Sequence, residues 1–431
     1  MIQTVRKAWA IPELRKKIIF TLLILLIFRI GNAISVPYVD LSALSAYINS
    51  MGASYLALLN TMSGGAFAMA TVFALGIQPY INASIIIQLL TVAIPPLERL
   101  ARDGGEAGKR KIQAITRYAT VGIALLQAWG YYTMIRSAGI LTNESVWAAL
   151  VIIVTFIAGA SFLMWLGEQV NEFGVGNGIS IILFAGIISR IPNSVESIVV
   201  GIAGGSMHWA WSIFIVLGIL LLVVLVVFVS DAERRIPVQY AKRQVGRKMY
   251  GGQSTHLPMK VNMSGVLPVI FAQSIASLPV TIWSFIGIPD EGTVARGIYN
   301  AIDTASIPYM VVYFLMIIAF SYFYATIQFN PIEISNNLKK NGGFIPGFRP
   351  GKPTSDFISK VLSKITLFGA IYLGIVAICP LIAGKIIDAF TDFGNLAIGG
   401  TSVIIVVGVA LETVKALESQ MLMRQYKGFL E

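Results

Sequence analysis

The apolar positions of this chain come in long runs, not at the alternating or three-to-four spacing of half-exposed elements. Residues 18–27 and 213–229 are almost unbroken in Ile, Leu, Val and Phe, too long and too uniform for amphipathic helices facing water on one side. A helix crossing the roughly 30 Å hydrocarbon core of a bilayer needs about 20 mostly apolar residues. Runs that meet this need predict spans at 18–37, 71–93, 114–135, 147–167, 178–200, 209–229, 265–287, 307–329, 365–388 and 397–412. Arg190 and Pro192 interrupt the fifth, and the tenth is short, with Gly399 and Gly400 at its start. An even count puts both termini on one side of the membrane.

Lysine and arginine crowd the cytoplasmic loops of membrane proteins, which tests the count independently. The amino terminus, the loops after the second, sixth and eighth spans, and the carboxyl tail, counted with Arg117 in the first turn of the third span, hold 27 of the 32 basic residues. Opposite-side segments hold only Arg136, Arg190, Arg296 and Lys385, and Arg29 lies within the first run. Both termini are therefore expected in the cytoplasm. The basic start is followed by a full-length run, with no small-residue cleavage site after Ser35, so the first run reads as a retained span and not a signal peptide. The net charge of +11 describes one face of the molecule. Two basic loops, about 231–264 and 330–364, exceed the 12–15 residues or so usual for plain connectors. Their Gly, Pro and aromatic residues, as in Gly342-Gly-Phe-Ile-Pro-Gly-Phe348, predict ordered cytoplasmic projections.

Composition agrees: 56% of residues are hydrophobic and 12% charged, against about 25% charged in soluble domains. The one cysteine, Cys379, excludes a disulfide framework and a cysteine-based metal cage. His208 and His256 fall outside the apolar runs, so no serine nucleophile at membrane depth has a histidine base, and the His-Glu-x-x-His pattern of a zinc site is missing. The segment from Gly347 to Thr354 superficially resembles a phosphate loop, but Pro353 occupies the hydroxyl position. The glycines at 174, 176 and 178 follow a membrane run and lack the strand–helix setting of a dinucleotide site. No catalytic residue, metal or cofactor is expected. Ion-coupled transport would call for ionisable groups at membrane depth, and the centres of the runs hold almost none; Glu168 and Glu412 sit at span ends.

What remains is a passive conduit or a scaffold. Ten spans divide into five and five, a division compatible with an inverted repeat and a site between the halves. Between the first two spans, residues 56–70 form an apolar stretch too short to cross, containing Asn60, Ser63, Gly64 and Gly65. It reads either as a re-entrant half-helix buried in protein or as an interfacial amphipathic helix.

Specific strings narrow the choice. Phe28-Arg-Ile-Gly31, residues 73–91 (Phe-Ala-Leu-Gly-Ile-Gln-Pro-Tyr-Ile-Asn-Ala-Ser-Ile-Ile-Ile-Gln-Leu-Leu-Thr), Met164-Trp-Leu-Gly-Glu-Gln169, Gly174-Val-Gly-Asn-Gly-Ile-Ser180, Tyr240-Ala-Lys-Arg-Gln244, Ser254-Thr-His-Leu-Pro258, Asn336-Asn-Leu-Lys-Lys340, Pro346-Gly-Phe-Arg-Pro-Gly351 and Gly399-Gly-Thr-Ser402 resemble, in order and along nearly the whole length, the SecY family, the pore-forming subunits of bacterial protein-conducting channels. The resemblance implies an all-α integral membrane protein of ten transmembrane helices in two pseudo-symmetric inverted halves of five, residues 1–205 and 206–431, with a re-entrant plug helix at about 56–70. Its implied function is to translocate unfolded secretory proteins across the bacterial plasma (inner) membrane and to release apolar helices sideways into lipid.

The same resemblance assigns roles by position. Ile77 and Ile81, Ile179 and Leu183, Ile270 and Ile405 match the aliphatic pore ring; Leu183 departs from the commoner isoleucine, a change a branched aliphatic gasket tolerates. Asn60, Thr61, Met62, Ser63, Gly64, Gly65, Ala66 and Phe67 match the plug. Asn82, Gln127 and Ser274 match polar positions of a lateral gate between spans two and three and spans seven and eight. Arg243, Arg247 and Lys248 match the tip that docks the ribosome through RNA phosphates, and Arg349 a position used with the motor ATPase SecA. Implied partners are SecE-like and SecG-like small membrane subunits, SecA, the ribosome, signal peptides, unfolded preproteins and lipids. Read without the family, an isoleucine pair four residues apart is ordinary membrane-helix packing, and a small polar group in a span bonds its own helix backbone. A small-solute secondary transporter shares the ten-span layout but needs a polar midplane site. A lipid scramblase or scaffold has no use for two long basic loops.

Overall fold

Backbone at membrane depth has no water to bond, so it satisfies its own donors and acceptors in helices. In the computed structural model, which describes residues 2–50, 55–102, 104–205, 208–240, 243–245, 248–250, 254–262, 265–286, 293–303, 306–390 and 400–427, a helix meets each expected span. The chain begins with α1 (Ile2–Ala10), α2 (Pro12–Gly31), α3 (Leu41–Ser50), α4 (Tyr55–Met62), α5 (Gln78–Ala93), α6 (Pro95–Arg102), α7 (Gly105–Ser137), α8 (Val146–Phe173) and α9 (Gly178–Ala203). It continues through α10 (Trp209–Asp231), strands β1 (Glu233–Tyr240), β2 (Arg243–Val245), β3 (Lys248–Tyr250) and β4 (Ser254–Lys260), and helices α11 (Leu267–Ile286), α12 (Val294–Ile302), α13 (Ile307–Gln328) and α14 (Pro331–Lys340). Strand β5 (Gly343–Phe344), α15 (Lys352–Phe390) and α16 (Gly400–Lys427) complete it.

Among the described residues, α8, α9, α10, the α13–α14 stretch and α15 are long and apolar enough to cross a membrane unaided, and α5 with α6, bent by 104°, forms a broken span. The remaining expected spans are shorter or more charged: α2 opens on Glu13, Arg15, Lys16 and Lys17. Two helices are cut shorter than their apolar runs. The first run was expected to stay helical to residue 37, but α2 stops at Gly31, where a Cβ would collide with the Phe73 ring; Phe28, one turn earlier, stacks on the same ring at 6.1 Å. The second run was expected to be helical from 71, but α5 begins only at Gln78. Residues 70–72 instead pair with 34–36, Val36 N–H donating to the Ala70 carbonyl and Val72 N–H to the Ile34 carbonyl at 2.9 Å each. Those bonds replace the helical ones that residues 71–77 forgo.

The main apolar core draws buried side chains from α2, α5, α8, α9, α10, α11, α13, α15 and α16, so it runs across both parts of the chain. A second core lies beneath α3 and α4 and includes Phe67, Tyr131 and Phe156. On α10, by contrast, Leu217, Leu220, Leu221, Val224 and Phe228 are all exposed, the pattern of a helix facing lipid. The buried carboxylate of Glu168 is paired, as a charge away from water must be. Arg117 reaches it through Nη2 at 2.8 Å and Nε at 2.9 Å, and Gln113 donates from 3.3 Å.

The chain is not wholly helical. The two long basic loops meet in one three-stranded antiparallel sheet of order β4-β1-β5, with Glu233 opposite Lys260 and Gln239 opposite both Ser254 and Phe344. Ile236, Val238 and Met259 from the first loop and Ile345, Ile358 and Leu362 from the second form its apolar core. The expected pair of projections is thus a single small domain.

Candidate pore, plug and side cavity

Four helices bring the expected ring together. Ile81 on α5, Leu183 on α9, Ile270 on α11 and Ile405 on α16 are each at most 6% exposed and belong to the main core, and Ile179, partly buried, packs against it. Ile77 is just as buried but stands one residue before α5 rather than within it. Its carbonyl still accepts the Ile81 N–H at 3.1 Å, which preserves the one-turn relation between the two side chains. On α9 the equivalent register is set by Asn177, whose side chain accepts from Ile179 and Ser180 N–H and caps the helix. Gly178 adds close packing, since a Cβ there would meet the Gly167 carbonyl of α8. The glycine-rich string that could be mistaken for a nucleotide motif is a tight α8–α9 turn.

Apart from the exposed Met69 and the half-buried Leu59, Gly64 and Gly65, the side chains described over 56–70 are buried, which favours a segment packed within the protein over an interfacial helix. Leu56, Asn60, Thr61, Met62, Ser63, Ala66 and Phe67 are nearly inaccessible. Its helix, α4, ends at Met62, however, and residues 63–70 form a compact turn instead of completing a helix across the whole stretch. Asn60 organises that turn: its Oδ1 accepts Ala68 N–H at 3.0 Å and its carbonyl accepts Gly65 N–H at 2.7 Å. Ser63 Oγ accepts Phe67 N–H at 3.1 Å. Gly64 and Gly65 take φ of +72° and +91°, which glycine adopts at no steric cost.

Three neighbours hold the turn from outside, and sequence reading singled out none of them. Asn32, just past α2, donates to the Ser63 carbonyl at 3.0 Å. Tyr131 on α7 donates to the Phe67 carbonyl at 2.6 Å, with the two rings edge-to-face at 4.6 Å. Gln78, opening α5, donates to Met62 Sδ at 3.2 Å. On the α9 side, Gly186 admits the Met62 carbonyl where a Cβ would clash. Between the turn and the ring remains a void of about 20 Å³ bounded by Met62, Ser63, Ile77 and Leu183 among others, room for about one water.

Asn82, Gln127 and Ser274 come together along the wall of a cavity of about 700 Å³ between α5, α7 and α11. Its other walls are apolar, Ile85, Leu89 and Leu278 among them, and Trp129 and Leu126 at the cavity are largely exposed. Among the described residues no hydrogen bond joins these three polar groups to one another; they face the cavity. Gln127 also lines the void beneath the turn, so it stands between the pore axis and the side cavity.

In the domain built from the two basic loops Arg349 is exposed, and its carbonyl accepts the Thr354 hydroxyl at 2.8 Å. The rings of Phe348 and Phe357, tilted by 30° with centroids 4.2 Å apart, anchor its loop to α15. Arg243 and Lys248 lie on the β2–β3 hairpin, opposite Tyr250 and Val245; Arg247 lies outside the described residues. Among the described residues no group of acidic, histidine and cysteine side chains could hold a metal ion.

The SecY family profile matches residues 71–414. The protein translocase subunit SecY of Streptomyces scabiei is 45% identical over 444 residues, covering 100% of both chains. A solved SecY structure, described by a plug domain that stabilises the closed state of the translocation channel and maintains a membrane seal, superposes with a TM-score of 0.65 at 19% identity, over 94% of this chain and 92% of that one. Sec61 of the canine ribosome–channel complex superposes with a TM-score of 0.59 at 18% identity over the same shares. These last two similarities concern the fold.

Proposed function

The chain belongs to the SecY family, and from that premise we propose that it is a protein-conducting channel passing unfolded secretory chains across the plasma membrane and releasing apolar helices sideways into lipid. The physical need is plain. An extended chain rises about 3.4 Å per residue, so roughly nine residues lie within the hydrocarbon at once. Each unsatisfied backbone group costs several kcal/mol there, so unassisted passage costs tens of kcal/mol. A watered passage removes that cost, provided it stays shut when idle.

The observation that carries this reading is the membership of Ile77, Ile81, Leu183, Ile270 and Ile405 in one apolar core, with the 60–67 turn facing Ile77 and Leu183 across the small void. Aliphatic side chains offer a sliding chain no hydrogen bonds, and a hydrophobic constriction can shut by dewetting. In the proposed cycle the 60–67 turn is the plug and leaves its seat when a chain enters. An apolar helix of the client then occupies the cavity between α5, α7 and α11, whose apolar walls match it and whose mouth faces lipid. The rival solute transporter needs a polar binding site at this depth, and the side chains there are aliphatic.

No motor is visible in the chain, so the drive comes from a partner. The exposed Arg349 and the β2–β3 hairpin, carried on one cytoplasmic domain, are the proposed landing surface for a SecA-type ATPase and for ribosomal RNA phosphates, with small SecE-like and SecG-like subunits beside the helices in the membrane. The positive-inside charge supports a cytoplasmic position for that domain and both termini. The test is reconstitution into vesicles with those subunits, the ATPase, ATP and an unfolded precursor. Precursor protected from external protease only when ATP is present supports the reading; no protection with an inserted, folded channel contradicts it.

A further inference from the structure

Arg190 sits within the apolar run of α9, where an unpaired charge is costly, and no role described so far uses it. It takes part in none of the ion pairs among the described residues, and its Nε is buried with no acceptor. It follows directly on the surface of α9 that receives the plug. Gly186 faces the Met62 carbonyl, and Ser189 Oγ lies 2.8 Å from where a Cβ on Gly64 would stand. One residue further, Arg190 Nη1 lies 3.3 Å from the Cβ position of Gly65 and its Cδ 3.7 Å away. Beyond the turn is an outer cavity of about 720 Å³, lined by Arg190 together with Asn60, Gly64, Gly65 and Arg29. A guanidinium carries five N–H donors in a rigid fork and keeps its charge at every relevant pH. Backbone with no side chain in the way is the surface such a fork approaches most closely.

We propose that Arg190 is a plug-positioning residue, its guanidinium bracing the Gly64–Gly65 turn against α9 in the closed channel. The proposal rests on the reading of residues 60–67 as the plug. It also gives the glycine pair a second purpose: besides adopting positive φ, Gly65 leaves the space that the guanidinium fills. Moving the plug off its seat separates the turn from Arg190, so the brace acts in the closed state alone and biases the channel toward it.

The test is resting ion conductance of the reconstituted complex in planar bilayers without precursor, measured for Arg190→Ala, Arg190→Gln and Arg190→Lys, each also combined with deletion of residues 60–67. Removing the brace is expected to raise resting open probability severalfold, with Arg190→Lys, which keeps the charge and most of the stem, restoring most of the seal. In the deletion background the Arg190 variants are expected to add nothing, because the partner is gone. A general loss of α9 packing would add leakage in both backgrounds and would overturn the proposal, as would an unchanged seal in Arg190→Ala and Arg190→Gln. If the deletion alone fails to raise conductance, the plug reading itself falls, an outcome separate from failure of the Arg190 variants over a leaky deletion.

Discussion

Tyr131 sets a single hydroxyl against the buried end of the 60–67 turn. It is fully buried on α7, donates to the Phe67 carbonyl, and is flanked edge-on by Phe67 and by Phe156 at 5.0 Å. Tyr131→Phe keeps the ring and strands the carbonyl, a loss of about 1–3 kcal/mol for a buried acceptor. The expected result is a roughly tenfold or greater rise in resting conductance with membrane insertion unchanged; an equally tight variant contradicts the role. In the sequence this tyrosine is one aromatic among many, because nothing local records that its partner lies 64 residues away. Asn32 is hidden for the same reason. The glycines at 64 and 65 were legible, but their close approach to α9 was not, since it depends on a surface brought near by the fold. Asp40 behaves differently, as a purely local device. Its Oδ1 accepts from the Ser42 hydroxyl at 2.6 Å and from Ser42 and Ala43 N–H at the start of α3, and these bonds hold its carboxyl below the usual carboxylate range. A lowered value means the cap is in force above the ordinary carboxylate pKa and fades as pH falls through the lowered one. Amide protection factors in the first turn of α3, corrected for the intrinsic pH dependence of exchange, should therefore fall in acid in the natural protein and lose that dependence in Asp40→Asn.

At the scale of elements, the apolar runs identified which segments cross but not where their helices stop. Hydropathy is blind to whether an apolar residue satisfies its backbone along a helix or, as at 70–72, against a neighbouring segment. The cytoplasmic sheet was missed because its pairings are distant: β1 meets β5 across more than a hundred residues, and Pro237 sits within β1, where the proline would ordinarily argue against a strand. The residues expected to form the ring, by contrast, share one apolar core, and Asn82, Gln127 and Ser274 share a cavity instead of bonding across a seam. That cavity predicts a distance-dependent block. Cysteines at Ile86 on α5 and Leu278 on α11, with Cys379 replaced, joined by a short bifunctional crosslinker, should halt export and be relieved by a long one; normal export with the short bridge in place counts against a gate here. Because Gln127 faces both the void and the cavity, Gln127→Leu should shift resting conductance and signal-peptide stringency together.

For the whole molecule, charge and apolarity divide the work. One small domain carries the two long basic loops, and an apolar core runs through the membrane-spanning helices. Arg349→Glu should abolish ATP-driven export while leaving the channel inserted and its seal unchanged, read by protease protection and conductance on the same preparation. The most direct test of a translocation path through the ring uses a precursor stalled in transit, with a photo-crosslinking residue in turn at Leu183, at Ile405 and at the lipid-facing Leu217. The path described here predicts precursor adducts at Leu183 and Ile405 and none at Leu217. Adducts at Leu217 alone, or none at the ring while the precursor is protected, would contradict it.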